Sequence, residues 1–150
     1  MKTRTIKRTT TLNRPIEEVF NFFSKAENLN IITPPEMQFK IISKPPIEIA
    51  EGTIIDYKIK LSGIPMFWRT QITHWEPMKK FVDKQIRGPY LLWEHQHILT
   101  PKGTSTEMID IVDYKVPGWI IEPLVHKLFV SGRLKSIFDY RQTKCAEIFS

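Results

Sequence analysis

Apolar and polar residues alternate along most of the chain, and the period of the alternation changes near Pro117. Before that point, short segments rich in β-branched and aromatic residues are separated by turn residues, a pattern that predicts strands. The predicted strands span residues 3–12, 37–43, 53–61, 66–75, 80–87, 91–100 and 104–116. After Pro123, apolar residues recur at roughly the 3.6-residue spacing of one helix face. They are Leu124, Leu128, Leu134, Phe138, Cys145 and Phe149. The pattern therefore predicts a sheet followed by one long C-terminal helix.

Two short helices are predicted between the first and second strands. Asn13 is expected to cap the first of them, with Pro15 in its first turn. The second covers residues 26–31 and ends before Pro34, because the residue preceding a proline avoids the helical region. Connections between the later strands are too short for crossover helices, so neighbouring strands should be antiparallel. We therefore predict one α+β domain over residues 1–150, with the last helix laid across one face of the sheet.

Two small residues, Ser131 and Gly132, interrupt the bulky stripe of the C-terminal helix. A glycine inside a helix costs about 1 kcal/mol relative to alanine, so a compensating role is expected. One interpretation is close packing of the helix on a strand, and the other is room left for a ligand. The sequence does not separate the two.

Composition and charge narrow the class of protein. Cys145 is the only cysteine, which excludes an intrachain disulfide and favours a buried, unreactive side chain. The formal net charge is +6, but the basic residues of the first strand alternate with threonines, as on a solvated strand face, so no nucleic-acid partner is expected. No apolar stretch is long enough to cross a bilayer, and no signal-peptide core follows Met1. We expect a soluble cytoplasmic protein without stable membrane insertion; whether it forms a homodimer is left open.

The order of elements and a set of local motifs resemble a known superfamily. The motifs are Arg14-Pro15-Ile16-Glu17-Glu18-Val19-Phe20, Asn28-Leu29, Thr33-Pro34, Phe81-Val82-Asp83-Lys84-Gln85, the segment 88–97, Asp110-Ile111-Val112-Asp113-Tyr114 with Pro117, and Ile137-Phe138-Asp139-Tyr140-Arg141. Together they resemble the START-like helix-grip fold of the SRPBCC superfamily, which includes birch-pollen-allergen-like proteins, lipid carriers and polyketide cyclases. The match is to its bacterial ligand-binding and "cell division inhibitor" group. The resemblance implies a curved antiparallel sheet of about seven strands wrapped around the C-terminal helix, with a deep apolar cavity between them. It does not imply one chemistry, because such proteins include carriers, sensors and enzymes.

Alternate residues of a strand share one face, which groups the chemically interesting side chains into sets. We expect the sets containing Trp93, Asp83 and Asp110 to face the cavity, although an error of one residue in register would turn a whole set outwards. The predicted ligand-binding residues are Tyr57, Arg69, Phe81, Asp83, Gln85, Trp93, His95, His97, Met108, Asp110, Tyr114, Leu128 and Gly132. Aromatic walls with a few polar groups suit an amphipathic or aromatic ligand.

The function predicted from these residues is reversible binding or transport of a small hydrophobic or amphipathic ligand, such as a lipid, a polyketide or an aromatic compound. An alternative is a metal-free cyclase or dehydratase that uses His95 or Asp83 as general base and Arg69 to hold an oxyanion. Catalysis is the less favoured interpretation, because the sequence has no nucleophile elbow, phosphate loop or dinucleotide motif. A further alternative is an interaction protein that exposes the apolar segment 66–68 or 119–121. For residues 119–121, the favoured interpretation is core or a lid over the mouth of the cavity, because they lie where the last strand leads into the helix.

The histidine pair allows two more interpretations. In one, His95, His97 and Asp110 satisfy each other in a buried polar network. In the other, His95 and His97 ligate a metal ion with Asp110 or His74 as third ligand. Because no recognised third-ligand spacing accompanies the pair, we expect neither a metal nor another cofactor.

Overall fold

The computed structural model describes residues 2–118 and 121–150. Its strands are β1 (Arg4–Leu12), β2 (Lys40–Ile41), β3 (Ile54–Leu61), β4 (Ile64–Glu76), β5 (Lys80–Arg87), β6 (Leu92–Lys102) and β7 (Ser105–Lys115). Helix α1 covers Ile16–Phe23, and single 3₁₀ turns follow at Ala26–Asn30 and Pro35–Met37. At the end of the chain, α2 (Glu122–Val125), a π-helical segment (His126–Val130) and α3 (Ser131–Ile148) run on without a break. We call these three together the C-terminal helix.

The strands form one seven-stranded sheet in the order β1-β7-β6-β5-β4-β3-β2. Every neighbouring pair is antiparallel. Strands β2 to β7 follow each other as a meander, and β1 closes the order by pairing with β7, where Arg4 lies opposite Tyr114. The predicted α+β arrangement, a curved sheet covered by a long terminal helix, is confirmed.

Among the described residues, two apolar clusters form most of the interior between the sheet and the helices. The first surrounds α1 and the end of the C-terminal helix and includes Phe20, Phe81 and Cys145. The second lies under the first half of α3 and includes Trp93 and Phe138. Helix α3 contributes to both because its buried residues, Leu134, Phe138, Arg141 and Cys145, repeat every three or four positions.

The predicted apolar stripe of the C-terminal helix is correct only after Ser131. Leu124 and Leu128 are 58% and 61% exposed, whereas Leu134, Phe138, Cys145 and Phe149 are buried. The π-helical segment accounts for the difference, since its wider turns shift the phase of the helix between Leu128 and Leu134. Gly132 is exposed, and a Cβ atom there would meet nothing within 4 Å, so neither interpretation of its small size applies.

Local turn chemistry explains most other differences from the predicted boundaries. Strand β4 begins at Ile64 because Ser62 and Gly63 form a two-residue hairpin with positive φ angles of 51° and 76°. The predicted strand 37–43 shrinks to two residues, since Pro35–Met37 forms a 3₁₀ turn that ends at Gln38 in the left-handed region. Asn13 does not cap α1; its backbone N–H donates to the carbonyl of Phe149 instead.

Among the described residues, no helix is both long enough and apolar enough to cross a membrane.

Candidate functional site: a cavity between the sheet and the C-terminal helix

A cavity of about 130 Å³ lies between the inner face of the sheet and α3. It is lined by Ile32, Thr33, Met37, Phe39, Tyr57, Ile59, Leu61, Trp68, Asp83, Tyr90, Trp93, His95, Leu134, Ile137, Phe138 and Arg141. A cavity of about 150 Å³ is enough to hold benzene, whereas drug-sized ligands need about 300 Å³ or more. The space in this structure therefore corresponds to about one aromatic ring.

The pleat of β6 places the central side chains of the site. Trp93, His95 and His97 are buried at alternate positions, and the residues between them point to the other face. Asp83 on β5 lies opposite His95, and Asp110 on β7 lies opposite His97. The sheet register thus brings two carboxylates and two imidazoles to adjacent inward positions.

Aromatic rings form most of the apolar wall. Trp68 stacks on Tyr57 with ring centroids 5.8 Å apart and meets Trp93 edge to face at 5.4 Å. Tyr90 lies 4.8 Å from Trp93, and Phe138 of α3 closes the opposite side. Burial raises the pKa of both Tyr57 and Tyr90, which keeps the two phenols neutral. The wall is therefore uncharged and suited to an apolar ring.

The floor of the cavity is a network of five charged or titratable side chains. His95 Nε2 and Asp110 Oδ1 are 2.7 Å apart, and His97 Nε2 and Asp83 Oδ2 are 2.6 Å apart. Arg141 from α3 donates through Nη2 to Asp110 Oδ1 at 3.2 Å and lies 3.3 Å from His97 Nδ1. The two imidazole rings stack with centroids 3.7 Å apart. This arrangement contains the predicted buried network of His95, His97 and Asp110, and Asp83 and Arg141 are additional members of it.

The network sets different protonation states on its two histidines. Burial lowers the pKa of His95 to about 4, and the neighbouring charge of His97 acts in the same direction. Burial also disfavours charge on His97, but hydrogen bonds with Asp110 and Asp83 outweigh it and raise the pKa of His97. For Asp110, the charge of Arg141 and the hydrogen bonds from the histidines overcome burial and hold its pKa well below the usual range. At neutral pH His95 is therefore a neutral imidazole beside a charged Asp110.

The tautomer of His95 follows from its partner. A carboxylate only accepts hydrogen bonds, so His95 Nε2 carries the proton that is donated to Asp110. Its Nδ1 atom is then bare, and it lies 4.0 Å from Asp83 Oδ2. Both His95 and Asp83 line the cavity. The floor thus presents two neighbouring hydrogen-bond acceptors to whatever occupies the cavity.

Four of the predicted ligand-binding residues line the cavity, namely Tyr57, Asp83, Trp93 and His95. His97 and Asp110 lie directly behind them in the polar network. The remaining inward residues have other partners: Phe81 stacks on His97, Met108 packs in the cluster around α1, Gln85 bonds the backbone of Tyr90, and the Tyr114 hydroxyl meets His126 Nε2.

Three of the predicted site residues do not point into the interior. Arg69 is on the outer face of β4, where Nε and Nη2 donate to the carboxylate of Asp56 at 2.7 and 2.9 Å. The burial of Trp68 explains this position. Successive residues of a strand point to opposite faces, so Arg69 points outwards when Trp68 points inwards. Leu128 and Gly132 are exposed on the C-terminal helix. The role of Arg69 as an oxyanion holder therefore has no place in this geometry.

Several cavity-lining residues were not predicted from the sequence, and one of them is Arg141. It is only 7% exposed and lies one helical step from Phe138 on the buried stripe of α3. A charged residue in phase with an apolar stripe was the signal that could have identified it. The segment from Ile32 to Phe39 also lines the cavity, but its irregular backbone has no periodicity from which to infer an orientation.

The two segments predicted as an exposed interaction surface differ in outcome. Trp68 is buried in the aromatic wall, which contradicts an exposed patch at residues 66–68. Trp119 and Ile120 of the other segment lie outside the described residues, and Ile121 is exposed.

The comparisons with known proteins identify the fold. No protein-family model and no curated protein matches the sequence. Among solved structures, the Zhui aromatase/cyclase from Streptomyces sp. R1128 is similar with a TM-score of 0.76 at 12% identity, over 98% of this chain and 93% of that one. Major latex-like protein 151 from Panax ginseng gives 0.70 at 11% identity, over 98% and 97%. Norcoclaurine synthase from Thalictrum flavum, in complex with dopamine and hydroxybenzaldehyde, gives 0.66 at 16% identity, over 99% and 90%.

A START superfamily protein from Mycobacterium smegmatis has the same fold, with a TM-score of 0.65 at 14% identity over 96% of this chain and 98% of that one. The chain thus has the START-like helix-grip fold, as its sequence motifs indicated. At these identities the likeness establishes the fold, and function has to be argued from the cavity.

Proposed function

We propose that this protein reversibly binds a small hydrophobic or amphipathic ligand in the cavity, and that the ligand is a single-ring aromatic compound with a hydrogen-bond donor. The observation that carries the proposal is the pairing of an aromatic wall with a polar floor in a space of about 130 Å³. An apolar ring gains affinity from burial against the wall, and the polar floor fixes its orientation.

The polar floor selects for a donor. His95 Nδ1 and Asp83 Oδ2 both accept hydrogen bonds and both belong to cavity-lining residues. A phenolic hydroxyl or an amine on the ring would reach one or both of them, whereas a carboxylate would meet the negative charge of Asp83. The norcoclaurine synthase of similar fold, whose structure contains dopamine and hydroxybenzaldehyde, supports this size and chemistry of ligand.

Isothermal titration with toluene, phenol, benzoate and palmitate tests the proposal. Phenol should bind most tightly. Toluene, which has no hydrogen-bond donor, should bind with lower affinity, and benzoate and palmitate should bind weakly or not at all. Tight binding of palmitate with no binding of phenol would show that the cavity opens for a lipid chain and would contradict the single-ring proposal.

A second candidate function is proton transfer without a metal, and one observation favours it. His95 is a neutral imidazole whose Nε2–H is held by Asp110, so that its bare Nδ1 faces a cavity-lining carboxylate. A base held in a fixed tautomer is the arrangement that general-base catalysis requires. Because Arg69 lies elsewhere, the stabilising donor in this alternative would be Arg141.

Deuterium exchange into phenylacetone, a benzyl ketone with acidic α-hydrogens, tests this alternative. If the protein is such a base, exchange exceeds the buffer rate, His95→Asn removes the excess, and the exposed control His74→Asn keeps it. Exchange at the buffer rate for the wild type would leave binding as the function of the cavity.

A further inference from the structure

Three atoms of the kind that ligate metal ions meet at the floor of the cavity. Asp83, His95 and His97 each offer one such atom, and these atoms all lie within 4.8 Å of one another. Asp83 Oδ2 is 4.0 Å from His95 Nδ1 and 2.6 Å from His97 Nε2. They come from inward positions on two neighbouring strands, with Asp83 directly opposite His95 in the sheet register. Because the sheet holds their backbone, the three groups are brought together before any ion arrives.

The carboxylate of Asp110 supports both imidazoles from behind. Its Oδ1 atom lies 2.7 Å from His95 Nε2 and 3.4 Å from His97 Nδ1. Because Asp110 accepts the Nε2–H of His95, Nδ1 of His95 is left bare towards Asp83. His97 Nε2 instead carries the proton that it donates to Asp83, and it has to lose this proton before it can ligate an ion. A second carboxylate that fixes the tautomer of ligating histidines is a regular feature of metal sites. Arg141, 3.2 Å from Asp110 Oδ1, holds that carboxylate in turn.

We propose that Asp83, His95 and His97 bind a divalent transition-metal ion, zinc being the best match. Two imidazoles and one carboxylate suit such an ion better than magnesium or calcium, which prefer oxygen ligands. With metal–ligand distances of about 2.0–2.2 Å, tetrahedral ligand atoms lie about 3.3 Å apart. The present separations of 2.6 Å between Asp83 and His97 and 4.0 Å between Asp83 and His95 lie on either side of that value. Binding therefore requires Asp83 to move away from His97 and towards His95, and the proton shared by Asp83 and His97 leaves.

The fourth coordination position faces the cavity. Asp83 and His95 line the cavity, whereas His97 lies behind them. Three protein ligands with one open position are typical of zinc sites that bind a water molecule or an exogenous ligand. The site differs from the sequence-based alternative in its third ligand: Asp110 lies behind the imidazoles, and His74 points away from them, with its Nε2 3.4 Å from Glu76.

Titration of chelator-treated protein with Co²⁺, followed by competition with Zn²⁺, tests the proposal. One equivalent of Co²⁺ should give the strong visible absorption of a four-coordinate ion, and Zn²⁺ should remove it. Asp83→Asn and His97→Gln should abolish the signal, and Asp110→Asn should weaken binding by about 10–100-fold through loss of support behind the ligands. The exposed control His74→Gln should bind as the wild type does.

Circular dichroism and the Tm of each variant show whether it is folded, and crystals soaked in Zn²⁺ locate the ion by anomalous scattering without any substitution. An anomalous peak between Asp83 and the two histidines supports the site. No Co²⁺ signal from the wild type, or an unchanged signal from folded Asp83→Asn, overturns it. Binding of phenol is measured on the metal-free protein, so a negative result for metal binding does not affect the test of the proposed function.

Discussion

Asp110 and His95 lie on adjacent strands of the sheet, and the hydrogen bond of 2.7 Å between them fixes the tautomer of His95. Together with the charge of Arg141, this hydrogen bond keeps Asp110 ionised. The pair is buried, and Arg141 joins it from the C-terminal helix. One buried carboxylate therefore links the sheet to the helix and orients the imidazole that lines the cavity.

Replacing Asp110 with asparagine should destabilise the fold strongly. The substitution leaves the guanidinium of Arg141 buried without its partner, and losing one member of a buried ion pair typically costs about 3–5 kcal/mol. Urea unfolding at neutral pH measures the difference. Asp113→Asn is the matched control, because Asp113 lies on the same strand but faces outwards beside Thr5. A loss below about 1 kcal/mol for Asp110→Asn would contradict a buried ion pair at this position.

Stability should fall as the pH is lowered from 6.5 to 4. The folded pKa of His95 is depressed from 6.5 to about 4, so the unfolded chain takes up the proton first as the pH falls. The free energy of unfolding therefore declines through this window, by about 3 kcal/mol.

The other titratable groups that face His95 affect stability in other pH ranges. Asp83 and Asp110 have lowered pKa values and lose their stabilising contribution mainly below pH 3.8, and Arg141 stays charged. His97, whose pKa is raised, contributes below pH 6.5 and loses its contribution as the pH rises through its folded pKa.

Urea unfolding at several pH values tests this dependence. His95→Asn should flatten the profile between pH 6.5 and 4, while the exposed variant His74→Asn should keep the wild-type slope. An equal slope in wild type and His95→Asn would show that the pKa of His95 is not lowered in the folded protein.

Replacing Gly132 with alanine should stabilise the protein by about 0.5–1 kcal/mol. Gly132 lies inside α3 without a positive φ, and an added Cβ meets nothing within 4 Å, so the gain in helix propensity is not offset by a clash. Gly63→Ala is the contrasting control, because Gly63 has a φ of 76° and should lose stability. Thermal unfolding measures both variants. A lower Tm for Gly132→Ala would show that the added Cβ atom clashes with neighbouring atoms at this position.

The alternation of apolar and polar residues was enough to predict the sheet. Trp93, His95 and His97 share a face because every second residue of a strand does, and the same period locates Asp83 and Asp110. Arg69 was misplaced because its strand alone does not define which face is inside. Its cross-strand partner Asp56 lies 13 residues away in sequence, a pairing that depends on the hairpin register.

The helical part of the site was harder to predict. The π-helical segment His126–Val130 changes the phase of the C-terminal helix, and its sequence HKLFV contains no proline or glycine to indicate a departure from α-helical geometry. Extending the α-helical period across this segment predicted Leu128 on the buried face, where it does not lie. The contribution of residues 32–39 depends on tertiary packing of an irregular segment, for which a local pattern carries no information.

The central claim is that the space beside Leu134 holds the ligand, and a cavity-filling pair of variants tests it most directly. Leu134 is buried and lines the cavity, whereas Leu128 is exposed on the same helix. Isothermal titration with phenol should show binding to the wild type and to Leu128→Trp, and loss of binding in folded Leu134→Trp, whose larger side chain occupies the space. Phenol binding that is equally strong in all three folded proteins would contradict a ligand site between the sheet and the C-terminal helix.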